Sequence, residues 1–206
     1  MLQGIFMLDP LLVPLPESIV GERLRLKVLR AQHAQSLFDA AKESYEGLNQ
    51  WYNGVLTKSD LTLAQTQVFI ENCLADFYKR DFIQYGIFDL KDRLIGIGVI
   101  HHLDWTVPKG RIGYWVRASE QKKGYATEIS NILTRFSFDK LSMKRLEIRT
   151  ATENKGSAVI PQRLNYKHVA LFEKNKTGNN GQIWDLDIWV RFDLEDLPNV
   201  KITYQS

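Results

Sequence analysis

The stretch "SEQKKGYATEIS", Ser119 to Ser130, sets Gln121, Lys122, Lys123, Gly124 and Ala126 directly ahead of a helical pattern. A basic, glycine-containing turn feeding a helix N-terminus is an anion site. The N–H groups of the first turn lack helical partners, and the helix dipole adds partial positive charge. The same residues also read as a basic surface turn, so position must decide. No Gly-x-x-x-x-Gly-Lys-Ser/Thr is present and the turn has one glycine, so neither a Walker loop nor a dinucleotide fingerprint fits. The single cysteine, Cys73, excludes an internal disulfide framework and a cysteine-based metal cluster. It reads as a buried structural thiol, and no metal is expected.

The elements around this turn follow from periodicity. Arg23–Arg30 alternates as a half-buried strand, and Ala31–Leu48 reads as one helix with Ala34, Leu37, Phe38 and Ala41 on a face. A loop through "NQWYNG" follows, with Asp60 as the cap of a second helix running to about Lys79. Phe82–Leu90 and Arg93–Leu103 are two strands joined by a tight turn, and Gly96 and Gly98 weaken the second unless a close neighbour needs the space. Gly110–Ala118 is a strand, the helix after the turn runs to about Lys140, and Lys144–Thr152 is a further strand. Those two strands must be parallel, because the helix between them is a crossover. That crossover is where an anion-binding loop belongs.

A short helix from near Ala158 to Leu164 is limited by Pro161, and Asn165 suits a left-handed exit. Two strands close the chain. In the last, Trp184, Leu186, Ile188, Val190 and Phe192 share one face, with Asp185, Asp187 and Arg191 on the other. The reading is a single α/β domain (α+β mixed). Its mostly antiparallel seven-stranded sheet is flanked by helices and contains one parallel pair. Residues 22–192 form the domain, 1–21 a non-regular arm and 193–206 a tail.

With 206 residues, 44% hydrophobic and 25% charged, the chain has the composition of an ordinary globular domain. A net charge of +3 suits an anionic small ligand or an acidic patch on a partner and is too weak to argue for nucleic acid. The apolar N-terminal stretch lacks a basic start, carries Asp9 and is broken by Pro10, Pro14 and Pro16, so it does not read as a signal peptide. No run approaches the ~20 apolar residues of a membrane span, and a cytoplasmic location is the expectation.

Six stretches in order, "ERLRLKVL", "LNQW", "RLIGIGVI", "RIGYWV", "QKKGYATE" and "NKGSAVIPQRLNY", carry a resemblance to the GNAT superfamily of N-acetyltransferases. The likeness is to the branch of ribosomal-protein N-terminal acetyltransferases and spermidine acetyltransferases, and it spans about Glu22 to Phe192. It implies acetyl-CoA as donor and a primary amine as acceptor. Backbone N–H groups from Gln121 through Lys122, Lys123, Gly124, Tyr125 and Ala126 to Thr127 would hold the pyrophosphate. The pantetheine arm would lie along the strand of Tyr114, Trp115 and Val116, where the parallel neighbour parts near Leu146–Arg149. An N–H of Trp115 or Val116 would polarise the thioester carbonyl.

The resemblance also places Asn154 and Ser157 at the coenzyme sulfur. Many relatives reprotonate the thiolate with a tyrosine, at a position matching Pro161 here, which leaves Ser157 as candidate acid, helix cap or both. Relatives often carry a glutamate base just before "IGYW", where this chain has Arg111. His101, His102 and Asp104 could act in its place through water, so the base stays open. Tyr45, Trp51, Tyr52 and His102 are the candidate acceptor-binding residues. A protein N-terminus is favoured as acceptor, with a polyamine or small amine open, as are a homodimer and a non-catalytic acyl-CoA-binding role.

Overall fold

The computed structural model describes residues 9–179 and 181–205. Nine strands form one sheet: β1 Ser18–Val20, β2 Leu24–Val28, β3 Ile83–Asp89, β4 Leu94–Asp104, β5 Lys109–Val116, β6 Arg145–Ala151, β7 Lys167–Thr177, β8 Ile183–Arg191 and β9 Thr203–Gln205. Their order is β7-β8-β6-β5-β4-β3-β2-β1-β9, and the β5–β6 pair alone among them is parallel. The expected parallel crossover is therefore present at the centre.

Two strands more than the expected seven come from the arm and the tail. Ser18–Val20 pairs with β2 on one side and with Thr203–Gln205 on the other. Each is three residues long, too short to show a period. The tail reaches this edge across a helix: Asn131 Nδ2 donates to the Pro198 carbonyl at 2.7 Å, and Arg135 donates to the carbonyls of Leu197 and Pro198. Part of the arm is thus regular structure and the tail packs on the domain; residues 1–8 lie outside the described residues.

Helices α1 (Ala34–Glu43), α2 (Tyr45–Trp51) and α3 (Leu63–Lys79) precede β3; α4 (Tyr125–Asp139) and α5 (Lys155–Arg163) flank β6. The first two replace the single helix expected over 31–48. The break falls at Ser44, whose buried hydroxyl accepts the Ala118 N–H at 3.0 Å. "NQW" is consequently helical, and Trp51 ends α2. The cap of α3 is Thr62, not Asp60. Thr62 Oγ1 accepts the Gln65 N–H, and Gln65 Oε1 accepts the Thr62 N–H, a reciprocal box worth about 1 kcal/mol.

One face of the sheet is covered by α4, through Ile129, Ile132, Leu133 and Phe136. On the other, Leu37, Ala40 and Ala41 of α1 and Ile70 of α3 pack on Phe88 and Ile97. Gly96 is demanded by its neighbour, since a Cβ there would stand 2.2 Å from the Trp115 carbonyl oxygen. On β8 the expected alternation fails at its end. Arg191 is buried, donating to the carbonyls of Leu164 and Asn165 and to Asp196 Oδ1, while Phe192 is exposed.

Candidate active site

β5 and β6 pair over three residue couples, Lys109↔Arg145, Gly110↔Leu146 and Arg111↔Glu147, and then separate. The Pro108 carbonyl accepts from Lys144 on the β6 side, whereas the Arg117 N–H donates to Ile95 on the β4 side. Strand alternation therefore aims the N–H groups of Ile112, Tyr114 and Val116 toward β6, and that of Trp115 toward β4. Of the two expected carbonyl-polarising donors, Val116 faces the gap. Trp115 contributes its side chain to the wall instead.

A cavity of about 860 Å³ occupies this gap. At one end lies the Ser119–Ser130 turn. Lys122 (φ 62°) and Gly124 (φ 82°) both adopt left-handed backbone, giving the concave run of N–H groups that cradles anions. Among the described residues, the N–H groups of Lys122 through Thr127 have no hydrogen-bond acceptor. Lys122 and Gly124 line the cavity, as do Gln121, Tyr125, Ala126 and Thr127. Lys123 does not: its ammonium pairs with Glu120 at 2.8 Å, and Glu120 also takes Arg93 at 2.9 Å.

The turn is held from two directions. Arg23, at the entry to β2, pairs with Glu128 at 2.6 Å, donates to the Lys123 carbonyl at 3.1 Å and lies over the Tyr125 ring. At its other end, Glu43 accepts from the Ser119 N–H at 2.9 Å and from Arg117. Burial favours the neutral Glu43 acid, but the hydrogen bonds of Ser119 and Arg117 outweigh it and hold the carboxyl at about 2. A carboxylate depressed by folding stabilises the protein above its unfolded pKa, and that contribution is lost as the pH falls. Melting temperature is thus expected to fall between pH 4.5 and 2 by more in the wild type than in Glu43→Gln, measured by thermal unfolding across that window.

At the middle of the gap, α5 presents its first turn. Asn154 is the cap, its Oδ1 accepting the Ser157 N–H at 3.1 Å. The helix starts at Lys155, earlier than expected, and carries Pro161 inside it at the cost of one hydrogen bond. Asn165 takes the expected left-handed conformation (φ 53°) just beyond the C-cap. Since Asn154 caps the helix, the Ser157 hydroxyl is free for another partner, and it meets the Tyr114 hydroxyl at 3.0 Å. Burial pushes Tyr114 up to about 12, which keeps the phenol protonated at neutral pH. The Tyr114–Ser157 pairing was not foreseen, although Tyr114 lies in the "RIGYWV" stretch.

Beyond β5 the cavity widens into a chamber. Its wall includes Trp51, Tyr52, Phe82, Val99, His101, Arg111, Arg149 and Lys176. Trp51 also packs on Trp184, with ring centroids 5.0 Å apart. Two expected acceptor residues fall elsewhere. Tyr45 lines a separate shallow depression with Asn49, Asn53 and Asp60. His102 sits on a β-bulge with left-handed backbone and is exposed; its neighbour His101 faces the chamber instead.

None of the candidate bases has an ordinary affinity for protons. The His101 and His102 Nδ1 atoms are 2.7 Å apart, and burial, with the charges of His102, Arg111 and Arg149 adding, lowers His101 to about 4. Asp104 is spent on the turn that follows it, accepting from Thr106 and Val107 and pairing with Lys109. Glu147, opposite Arg111, is ringed by Arg145, Arg149 and Arg111 at 2.6, 2.8 and 3.4 Å. Burial favours its neutral form, yet the Arg149 hydrogen bond and the three charges hold it below its usual range. Among the described residues no cluster of His, Cys, Asp and Glu could hold a metal ion, and no helix is long and apolar enough to cross a membrane.

The family model described as "Acetyltransferase (GNAT) domain" matches residues 23–167. The chain belongs to this acetyltransferase family. Among curated relatives, "Putative ribosomal N-acetyltransferase YdaF" of Bacillus subtilis (strain 168) is 23% identical over 147 residues, which is 71% of this chain and 79% of that protein. Among solved structures, Mycobacterium smegmatis RimJ in complex with CoA-disulfide superposes with a TM-score of 0.80 at 17% identity, covering 89% of this chain and 90% of that one. RimL, a ribosomal L7/L12 alpha-N-protein acetyltransferase in complex with coenzyme A, gives 0.78 at 17% identity, covering 89% and 99%. The GNAT assignment accounts for the parted central strands, the feature that separates this sheet from an ordinary mixed one.

Proposed function

We propose that the chain takes the acetyl group of acetyl-CoA and passes it to the α-amine at the N-terminus of a protein or peptide, by direct attack within a ternary complex. The opened edge of β5 carries the reading. Beyond Arg111 it offers the N–H and C=O of Tyr114 and the N–H of Val116 to an extended, amide-bearing arm, the Val116 carbonyl accepting from Gln121 Nε2. It ends on a nest of N–H groups that suits a pyrophosphate. Lys122 adds charge there, and Val116 N–H faces the thioester carbonyl as an oxyanion donor. Bound acetyl-CoA supplies an activated acyl carbon; the protein orients the amine and manages two protons. Tyr114 and Ser157 form the donor chain that returns a proton to the thiolate, and Asn154 fixes Ser157 in place.

The α-amine follows from the chamber's lack of a competent base. The Glu147 carboxylate is saturated by arginine, Asp104 is engaged in its turn, and His101 protonates near pH 4. An acceptor must then arrive neutral. An amine with a pKa near ~10 is about 0.1% neutral at pH 7, whereas an α-amine near ~8 is about 10% neutral. The expected result is a kcat/KM at pH 7 roughly a hundredfold higher for an N-terminal peptide than for spermidine, with both rising toward pH 9 and no inflection between pH 6 and 7. Kinetics over pH 6 to 9 measure this. Efficient spermidine acetylation at pH 7, lost on His101→Ala, would overturn the baseless mechanism and the substrate together.

A further inference from the structure

We propose that the acceptor carries a carboxylate within its first two residues, held in the chamber by Arg111 and Arg149, with Lys176 also on the cavity wall. This inference rests on the N-terminal acetyltransferase reading and names the substrate class of that site. It begins with an imbalance of charge. Three arginines converge on the single carboxylate of Glu147: Arg145 on Oε1, Arg149 and Arg111 on Oε2. One guanidinium, or two, would satisfy a carboxylate, so two positive charges remain uncompensated.

The members of this cluster are not equivalent. Glu147 and Arg145 stand outside the cavity wall, whereas Arg111 and Arg149 line it. Arg111 is also the loosest partner of Glu147, at 3.4 Å, which leaves most of its donors for a ligand. Elsewhere on the cavity wall, the Lys176 ammonium meets the Trp51 carbonyl and has no carboxylate partner among the described residues. Burial lowers its pKa, which marks it as a charge held away from water. Among the described residues the acid of the cavity wall is Glu120, tied to Arg93 and Lys123 at the anion-binding end.

A purely structural role leaves this arrangement unexplained. Packing Glu147 against the sheet needs its charge cancelled, not exceeded, and like charges crowded at one wall repel each other unless an anion joins them. Planar, bidentate guanidinium groups are suited to a carboxylate, and Arg111 and Arg149 line the same cavity as Trp51 and Tyr52. A polycation would meet the same charges as repulsion, so discrimination works in both directions.

The test compares hexapeptides that share an N-terminal serine and differ at the second residue, glutamate, glutamine or lysine, with acetyl-CoA and the full chain. The expected kcat/KM ratio is at least about tenfold for glutamate over glutamine, larger over lysine, and falling with added salt. In Arg111→Gln and Arg149→Gln that ratio should collapse toward one. Because it is a ratio within one variant, partial misfolding cancels. Lys176→Met, outside the Glu147 cluster, should lower it less. Acetylation of all three peptides at equal efficiency by the wild type overturns the charge selectivity and leaves N-terminal acetyl transfer standing. Acetylation of none of them overturns both.

Discussion

Replacing Ser157 with alanine is expected to lower kcat about a hundredfold while acetyl-CoA affinity stays within a few-fold. A positioned general acid contributes ~10²–10⁴, and a thiolate, already a good leaving group, draws on the lower end of that range. The geometry adds a second arm. The Tyr114 hydroxyl lies 3.0 Å from Ser157 Oγ, and burial keeps it protonated. Tyr114→Phe should therefore reproduce most of the loss, and the double variant should lose little beyond either single one, because the two act as one relay. Single-turnover kinetics with saturating acetyl-CoA measure the effect. A loss below about threefold in Ser157→Ala would leave Ser157 a packing residue, since Asn154 already caps the helix.

Gly124→Val is expected to abolish stabilisation by acetyl-CoA. At a ligand concentration of 100 Kd the wild type should gain about 2.7 kcal/mol, a shift of roughly 5–10 °C for a domain of this size. A Cβ at Gly124 would meet only Arg23 Nη2, at 3.6 Å, so the variant is not blocked by a clash. The obstacle is backbone conformation. Gly124 has φ 82°, which a β-branched residue resists, and relaxing it turns the N–H groups of the nest away from a common point. Gly124→Asn, which tolerates left-handed backbone, should recover part of the shift. A full shift in folded Gly124→Val would remove the turn from the coenzyme site.

What the sequence made legible was whatever repeats locally. Seven strands, the crossover and the start of α4 follow from alternation and helical spacing, and the turn ahead of α4 stands where the crossover requires it. Elements fixed by distant partners were not legible. Ser44 breaks the first helix because of a hydrogen bond to Ala118. The anion turn is anchored by Arg23 and Glu128, 105 residues apart, and no local pattern announces that pair. Tyr114 and Ser157 are 43 residues apart and meet only because α5 returns across the parted strands. Ordinary strand alternation through Ile97 and Val99 carries His101 rather than His102 onto the chamber wall, and His102 lies in the β-bulge that follows. The excess of arginine around Glu147 could have been suspected from "KRLEIR", where three basic residues bracket one acid.

The edge strand β9 joins the sheet through the pairing of longest sequence separation in it. It pairs with β1, at the far end of the chain, and joining those two directly would cost about 4–5 kcal/mol of loop entropy. Once β1 to β8 stand, the tether from Arg191 to Thr203 is short, and docking costs only about 2 kcal/mol. β9 is therefore expected to dock after the rest of the sheet, as the tail is drawn across α4. Contacts made that late leave the folding rate almost untouched and act on the unfolding rate. Formed in that order, the final strand acts as a latch on the lifetime of the native state, and removing it is expected to speed unfolding in stopped-flow kinetics while leaving refolding nearly unchanged.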